Sequence, residues 1–304
     1  MTRKQKKKPV TPIVRMVVQI ATFLFVFLGS SAVALRKSGI EIPLPAFEVH
    51  GVCPFGGVET FYTLVTTGAF LQKTQMSAVI LLIVVLVATV VFGSVFCGWF
   101  CPFGTLQEFI GKIGKRLFPR IYNKVPRRAD RILRYLRYVM LVAILVVTAR
   151  IGKMAFESID PYSALMNILS DEVAWGGLVF LAIVVVASLF IERPFCKYVC
   201  PFGAMLGLVS LVSIFRPRRN AATCIGCKKC DHACPMNITV SETTAVRDHQ
   251  CISCYRCTSD DVCPVPNTVT LATPRLGQGA QVSEGADAKT QADQAKGSEV
   301  RHEN

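Results

Sequence analysis

Cys224-Ile-Gly-Cys227-Lys-Lys-Cys230-Asp-His-Ala-Cys234-Pro235, followed by Cys251-Ile-Ser-Cys254-Tyr-Arg-Cys257 and Cys263-Pro264, is the stretch that decides the C-terminal fold. Three thiols at two-residue gaps wrap one cuboidal iron–sulfur cluster, while a fourth Cys set before proline ligates the neighbouring cluster. The spacing therefore predicts crossed sets: Cys224, Cys227, Cys230 and Cys263 for cluster 1, and Cys251, Cys254, Cys257 and Cys234 for cluster 2. Cys-x-x-Cys pairs also bind zinc, but zinc sites use two pairs, not three consecutive steps with a fourth Cys before Pro. The second run has five residues between Cys257 and Cys263 where the first has three, which reads as a small loop insertion.

Around this stretch, residues 216–275 are short, Cys-rich and poor in large apolar side chains, too little to fold on a core alone. Residues 276–304 have almost no apolar content and read as a disordered tail. The rest of the chain is different in kind. It brings the whole to 52% hydrophobic and only 18% charged residues, against about 25% charged in soluble domains. That excess marks a membrane protein. The 34 Lys and Arg against 20 Asp and Glu cluster at the ends of apolar runs, which favours loops beside a bilayer over nucleic-acid binding.

A bilayer core about 30 Å thick needs roughly 20 apolar residues of helix. Four segments are expected to span it. Met76–Phe96 and Val173–Ile191 are unbroken and strongest; Ile13–Leu35 carries Arg15 and Gln19, with Arg15 expected to snorkel to the headgroups. The third is the weakest, because its uncharged core Tyr138–Ala149 must be extended through Arg134 and Arg137. Loop charge places 1–15 and 97–137 in the cytoplasm and the acidic loops 36–75 and 150–172 outside. Both termini then face the cytoplasm, where reduced thiols and oxygen-sensitive clusters persist. The expected organisation is a four-helix membrane domain (1–215), a cytoplasmic 2[4Fe–4S] domain (216–275) and a tail (276–304).

An internal repeat joins the two halves. Cys97-Gly-Trp-Phe-Cys101-Pro-Phe-Gly104 ends the second span and Cys196-Lys-Tyr-Val-Cys200-Pro-Phe-Gly203 ends the fourth. A helix continuing to the second Cys would set each pair at i and i+4 on one face, before Pro and Gly break it. Two such units side by side bring four thiols together as a redox dithiol relay, a disulfide or a metal site; the alternative is that small Cys side chains let the helices pack closely. A third copy, His50-Gly-Val-Cys53-Pro-Phe-Gly, lies in an outward loop. It is a His/Cys ligand pair, a contact for an external partner, or a Pro-Gly turn with an unpaired thiol. His232 and His249 read as surface histidines beside a polar cofactor. None of the four histidines, with His50 and His302, falls in a span, so no transmembrane bis-histidine haem is expected. No nucleotide-binding or zincin motif is present.

The paired Cys-x-x-x-Cys-Pro motifs, the outward Asp160-Pro161-Tyr-Ser segment and the two cysteine runs resemble the four-span polyferredoxins typified by NapH, the membrane quinol dehydrogenase component of periplasmic nitrate reductase systems. They are also similar to the membrane halves of NosR-type and CcoG-type proteins. The resemblance covers residues 10–275. It implies an α-helical membrane protein with four transmembrane helices and a small α+β bacterial-type 2[4Fe–4S] ferredoxin domain, in the inner (plasma) membrane. Its implied work is electron transfer between the quinone pool or a cytoplasmic donor and a redox protein on the membrane or outer side. Quinone is then a further cofactor and membrane lipid a partner. The alternatives are a copper- or other metal-reducing assembly factor and a redox-sensing regulator.

Overall fold

The computed structural model describes residues 10–37, 56–58, 76–151, 159–168 and 174–273. His50, Cys53, the basic N-terminus and the 276–304 tail lie outside the described residues. Helices α1 (Val10–Lys37) and α2 (Met76–Phe92), a π-turn (Phe96–Phe100), and helices α3 (Pro102–Leu117), α4 (Arg127–Ile151), α5 (Pro161–Met166), α6 (Trp175–Ser188), α7 (Pro194–Tyr198) and α8 (Pro201–Ser210) form the larger module. Strand β1 (Arg216–Arg219), the one-turn helix α9 (Lys229–His232) and strand β2 (Val269–Ala272) belong to the cysteine-rich module.

The helical module is inside out by the standards of a water-soluble protein. Val17, Ile83, Val87, Val139, Val142, Val179 and Ile183 are exposed, whereas Arg15, Gln19, Thr89, Glu108, Arg137, Arg193 and Lys197 are buried. Water would penalise such an apolar exterior, while a bilayer drives polar side chains toward the bundle interior. This is the surface of a membrane protein.

Helices α1 and α2, and again α4 and α6, form two copies of one hairpin. In α2 the buried positions are Ala78, Leu82, Val85 and Thr89, and in α6 they are Gly177, Leu181, Val184 and Ser188. Each pair is separated by the same 99 positions as Cys97 and Cys196. The same relation holds for α1 and α4, where Gln19, Val26 and Ser30 match Arg137, Ile144 and Thr148 at a spacing of 118. The copies interlock. α1 lies on the π-turn and α3, and α4 on α7 and α8, while α2 packs against α8 and α6 against α3 of the opposite copy.

Two expectations need correction. The strongest candidate spans are the shorter ones: Pro12–Val33 in α1 and Arg128–Arg150 in α4 are long and apolar enough to cross a bilayer, but Ser77–Phe92 and Trp175–Ser188 are shorter. The second helix stops at Gly93, whose left-handed φ of 76° reverses the backbone. The fourth stops before Arg193, φ 53°. Nor does either helix run on to its second cysteine. Cys101 and Cys200 have extended ψ and cap the next helix, with Pro102 and Pro201 as the first residues of α3 and α8. Proline without an N–H suits that position, so here it starts helices and does not break them.

The cysteine-rich module is held by antiparallel pairing of β1 with β2, Arg216 opposite Ala272 and Arg219 opposite Val269. Its core is small: Met236, Ile238, Val240, Val246, Ile252 and Val269, with Cys230 and further cysteines packed around them.

Candidate functional site

Each Cys-Pro-Phe-Gly segment folds as a thiol N-cap. The Gly104 N–H donates to Cys101 Sγ at 3.4 Å and the Gly203 N–H to Cys200 Sγ at 3.3 Å, taking the place that a Ser or Asp oxygen usually fills. Gln107 on α3 crosses to the other copy, donating to Cys196 Sγ at 3.4 Å. Burial raises the Cys97 thiol, and the neighbouring Cys101 and Cys196 raise it further. Burial, then Cys101, push Cys196 up to about 12. The four sulphurs from two copies thus influence one another, with Arg193 the principal opposing charge at Cys97, Cys101 and Cys196.

Arg193 is wholly buried and is clamped twice, donating from Nη2 to Glu108 at 2.7 Å and from Nη1 to the Cys97 carbonyl at 2.7 Å. Glu108 also receives Arg15 at 2.5 Å and Gln19 at 3.3 Å. Arg15 Nε and Gln19 Nε2 donate to the Gly98 carbonyl at 3.0 and 3.1 Å. Burial alone would raise the Glu108 carboxyl, but Arg193 and Arg15 hold it well below the usual carboxylate range. These side chains fix the carbonyls of the π-turn between Cys97 and Cys101. Arg15 therefore does not snorkel; it is a buried partner of Glu108.

A second polar cluster ties the modules together. Arg134 donates to the Met236 and Asn237 carbonyls at 3.0 and 3.2 Å and pairs with Asp130. Arg137 donates to the His249 carbonyl at 2.8 Å, and Gln250 Nε2 to the Lys197 carbonyl at 3.4 Å. His249, expected at the surface, is partly covered by the rings of Tyr135 and Tyr138, whereas His232 is exposed. Sequence reading missed Glu108, Arg193, Lys197 and Gln250. One signal was available: Arg15 and Gln19 lie one turn apart on an apolar helix, and polar residues there face the bundle interior and a partner.

The eight cysteines of the C-terminal runs line two separate cavities. One is lined by Cys234, Cys251, Cys254 and Cys257 together with Met236, Ile238 and Tyr255. The other is lined by Cys224, Cys227, Cys230 and Cys263 with Ser241 and Val269. The two runs have one backbone shape, repeated at the 27-residue spacing of Cys224 and Cys251. Gly226 and Ser253, and likewise Lys228 and Tyr255, all have positive φ. Burial pushes Cys234 and Cys251 up to about 12, with the facing Cys254 adding to it. Cys257 is raised by burial and then by Cys254, Cys251 and Cys234. Four half-buried thiols side by side ionise together only with cations among them, which the irons of a cluster provide. Among the described residues no three Cys, His, Asp or Glu side chains close on one point as around a single ion. Four cysteines lining each cavity are the donor set that a cluster takes, its irons held by four separate thiolates. None of the twelve described cysteines is in a disulfide.

Residues 74–121 and 173–220 each match the family model described as a 4Fe-4S binding domain. Both matches fall on the repeated hairpin with its Cys-x-x-x-Cys-Pro motif and end before Cys224. YccM of Escherichia coli, described as an electron transport protein, is 34% identical over 80% of this chain and 66% of its own length. MJ0750 of Methanocaldococcus jannaschii is 34% identical over 68% of this chain and 82% of its own. The ferredoxin-type protein NapH of Escherichia coli is 28% identical over 61% and 64%. The chain belongs to the NapH-type polyferredoxin family. No solved structure matches it. It is an iron–sulfur electron-transfer protein, with the helical surface of a membrane protein and eight cysteines sorted into two cavities of its cysteine-rich module.

Proposed function

We propose that this polyferredoxin carries two [4Fe–4S] clusters in crossed cradles, Cys224/Cys227/Cys230/Cys263 and Cys251/Cys254/Cys257/Cys234, on a four-span anchor. In this reading it exchanges electrons between the quinone pool or a cytoplasmic donor and a redox protein at the membrane or its outer side. The observation that carries the reading is the sorting of the eight cysteines into two cavities, each taking three from one run and the fourth from the other. When bound, the clusters supply one-electron carriers; the chain's own residues hold the thiols, exclude water and fix the cradle against the membrane module.

Anaerobically purified protein is expected to hold about eight iron and eight sulfide per chain. Cys230→Ser should remove one EPR signal and Cys234→Ser the other, although only four positions separate them. Loss of the same signal in both variants, or stoichiometric zinc in place of iron, defeats the crossed reading.

A second reading concerns Cys97, Cys101, Cys196 and Cys200. The family model falls on these two segments, and their sulphurs interact across the copies. That favours a shared redox or metal centre over close packing alone. Cys97 packs against both the bundle core and the core around cluster 2's cysteines, which puts it between the two.

A further inference from the structure

The two cysteine loops share one backbone shape, but only one of them is covered. In the second loop, Ile252 is buried and the Ser253 carbonyl accepts from Trp99 Nε1 at 3.1 Å. Arg256 pairs with Glu192 of the membrane module at 2.7 Å. The fit is close: a Cβ on Gly98 would lie 2.3 Å from the Ile252 carbonyl oxygen. At the 27-residue spacing, the matching positions in the first loop are Ile225, Gly226 and Lys229. Ile225 is 67% exposed, and a Cβ on Gly226 would meet nothing within 4 Å. Cys227, Lys228 and Lys229 are exposed as well.

Resting on the cluster reading above, we propose that the Ile225–Lys229 face docks a soluble one-electron carrier protein with an acidic surface. The covered loop is the template. It seats an apolar side chain, a close backbone approach and a basic side chain against a carboxylate, and the open loop presents the same three features with no occupant among the described residues. The charge agrees: Arg219 and Lys228 line the first cavity and no carboxylate does. Asp231, the nearest acid in sequence, is held by the Ser241 N–H at 2.8 Å. Asp260 and Asp261 are exposed on the turn before Cys263 and do not line that cavity. The exposed Cys227 brings its cradle to the surface where the carrier sits. One electron moves between the carrier and that cradle's cluster, in either direction, and no bond is made or broken.

The test uses the full chain with clusters, in lipid nanodiscs, and an acidic flavodoxin as the probe. Calorimetric binding is expected to weaken about tenfold or more in Lys228→Glu/Lys229→Glu and to lose much of its salt dependence, as for rim charges that steer a partner. Lys115→Glu/Arg116→Glu, at the exposed end of α3, is expected to bind as the parent does. Iron, sulfide and EPR signals are measured in every sample; if the glutamate variant loses iron, Lys228→Gln/Lys229→Gln is read in its place, with a smaller loss expected. Unchanged binding, an equal loss in the α3 variant, or preference for a basic cytochrome c would overturn the proposal. A parent protein without clusters defeats the cluster reading, whereas normal clusters with indifferent binding defeat only the docking face.

Discussion

Glu108 is the acceptor on which three buried side chains converge, and it sits between two arginines with almost no access to water. Removing one partner from a buried ion pair costs about 3–5 kcal/mol, because the remaining charges stay desolvated. Glu108→Gln is therefore expected to lower stability by about that much, read as a fall in thermal midpoint in detergent or nanodiscs. Glu108→Asp, which keeps the charge but shortens the reach to Arg15, should fall between the two. A Glu108→Gln protein as stable as the parent would mean that Arg15 and Arg193 find other acceptors. The linkage has a definite sign. A carboxyl held below its ordinary value adds stability that is complete above about pH 4.3 and is lost as the pH falls.

At the scale of elements, the Cys-Pro-Phe-Gly segments combine two roles that substitution can separate. As N-caps, Cys101 and Cys200 each accept one backbone N–H. Serine does this at least as well, whereas alanine forfeits roughly 1 kcal/mol per cap. Changing all four paired thiols to serine should leave insertion and cluster spectra near the parent's, with the alanine version less stable by roughly 2 kcal/mol over its two caps. Electron transfer from reduced clusters to quinone analogues or to Cu(II) should fall sharply in both. Losing either pair should cost about as much as losing both, as for groups that act as a unit. Full turnover in the quadruple serine variant would return these thiols to capping and packing.

At the scale of the whole molecule, the two interlocked hairpin copies run in the same direction if each begins on the basic side, as parallel repeats about an axis along the membrane normal do. The proposed topology has both termini in the cytoplasm and the 36–75 and 150–172 loops outside. In intact cells, a membrane-impermeant maleimide should label a cysteine introduced for Glu48 and spare one introduced for Ala280. Labelling of Ala280→Cys, or protection of Glu48→Cys in a background where external sites react, would reverse the arrangement.

The cysteine motifs were enough to reach iron–sulfur chemistry and the family, because both are written in short-range sequence. The repeat was equally legible, since duplication preserves residue types at a fixed distance, as Leu82 with Leu181 and Phe103 with Phe202 show. Where the helices end was not. Gly93 and Arg193 turn the chain because of what surrounds them: a Cβ at Gly93 would collide with Ser253 Oγ, and Arg193 is held by Glu108 and the Cys97 carbonyl. Arg15, Arg134 and Arg137 look like charges at membrane edges when counted along the chain. Only the fold reveals that they reach Glu108, Met236 and His249, across 93, 102 and 112 positions. The same holds for the two cysteine loops, which share their cysteine spacing and their positive-φ positions. Which one is covered and which is open depends on how the cysteine-rich module lies on the hairpins, and long-range packing alone decides that.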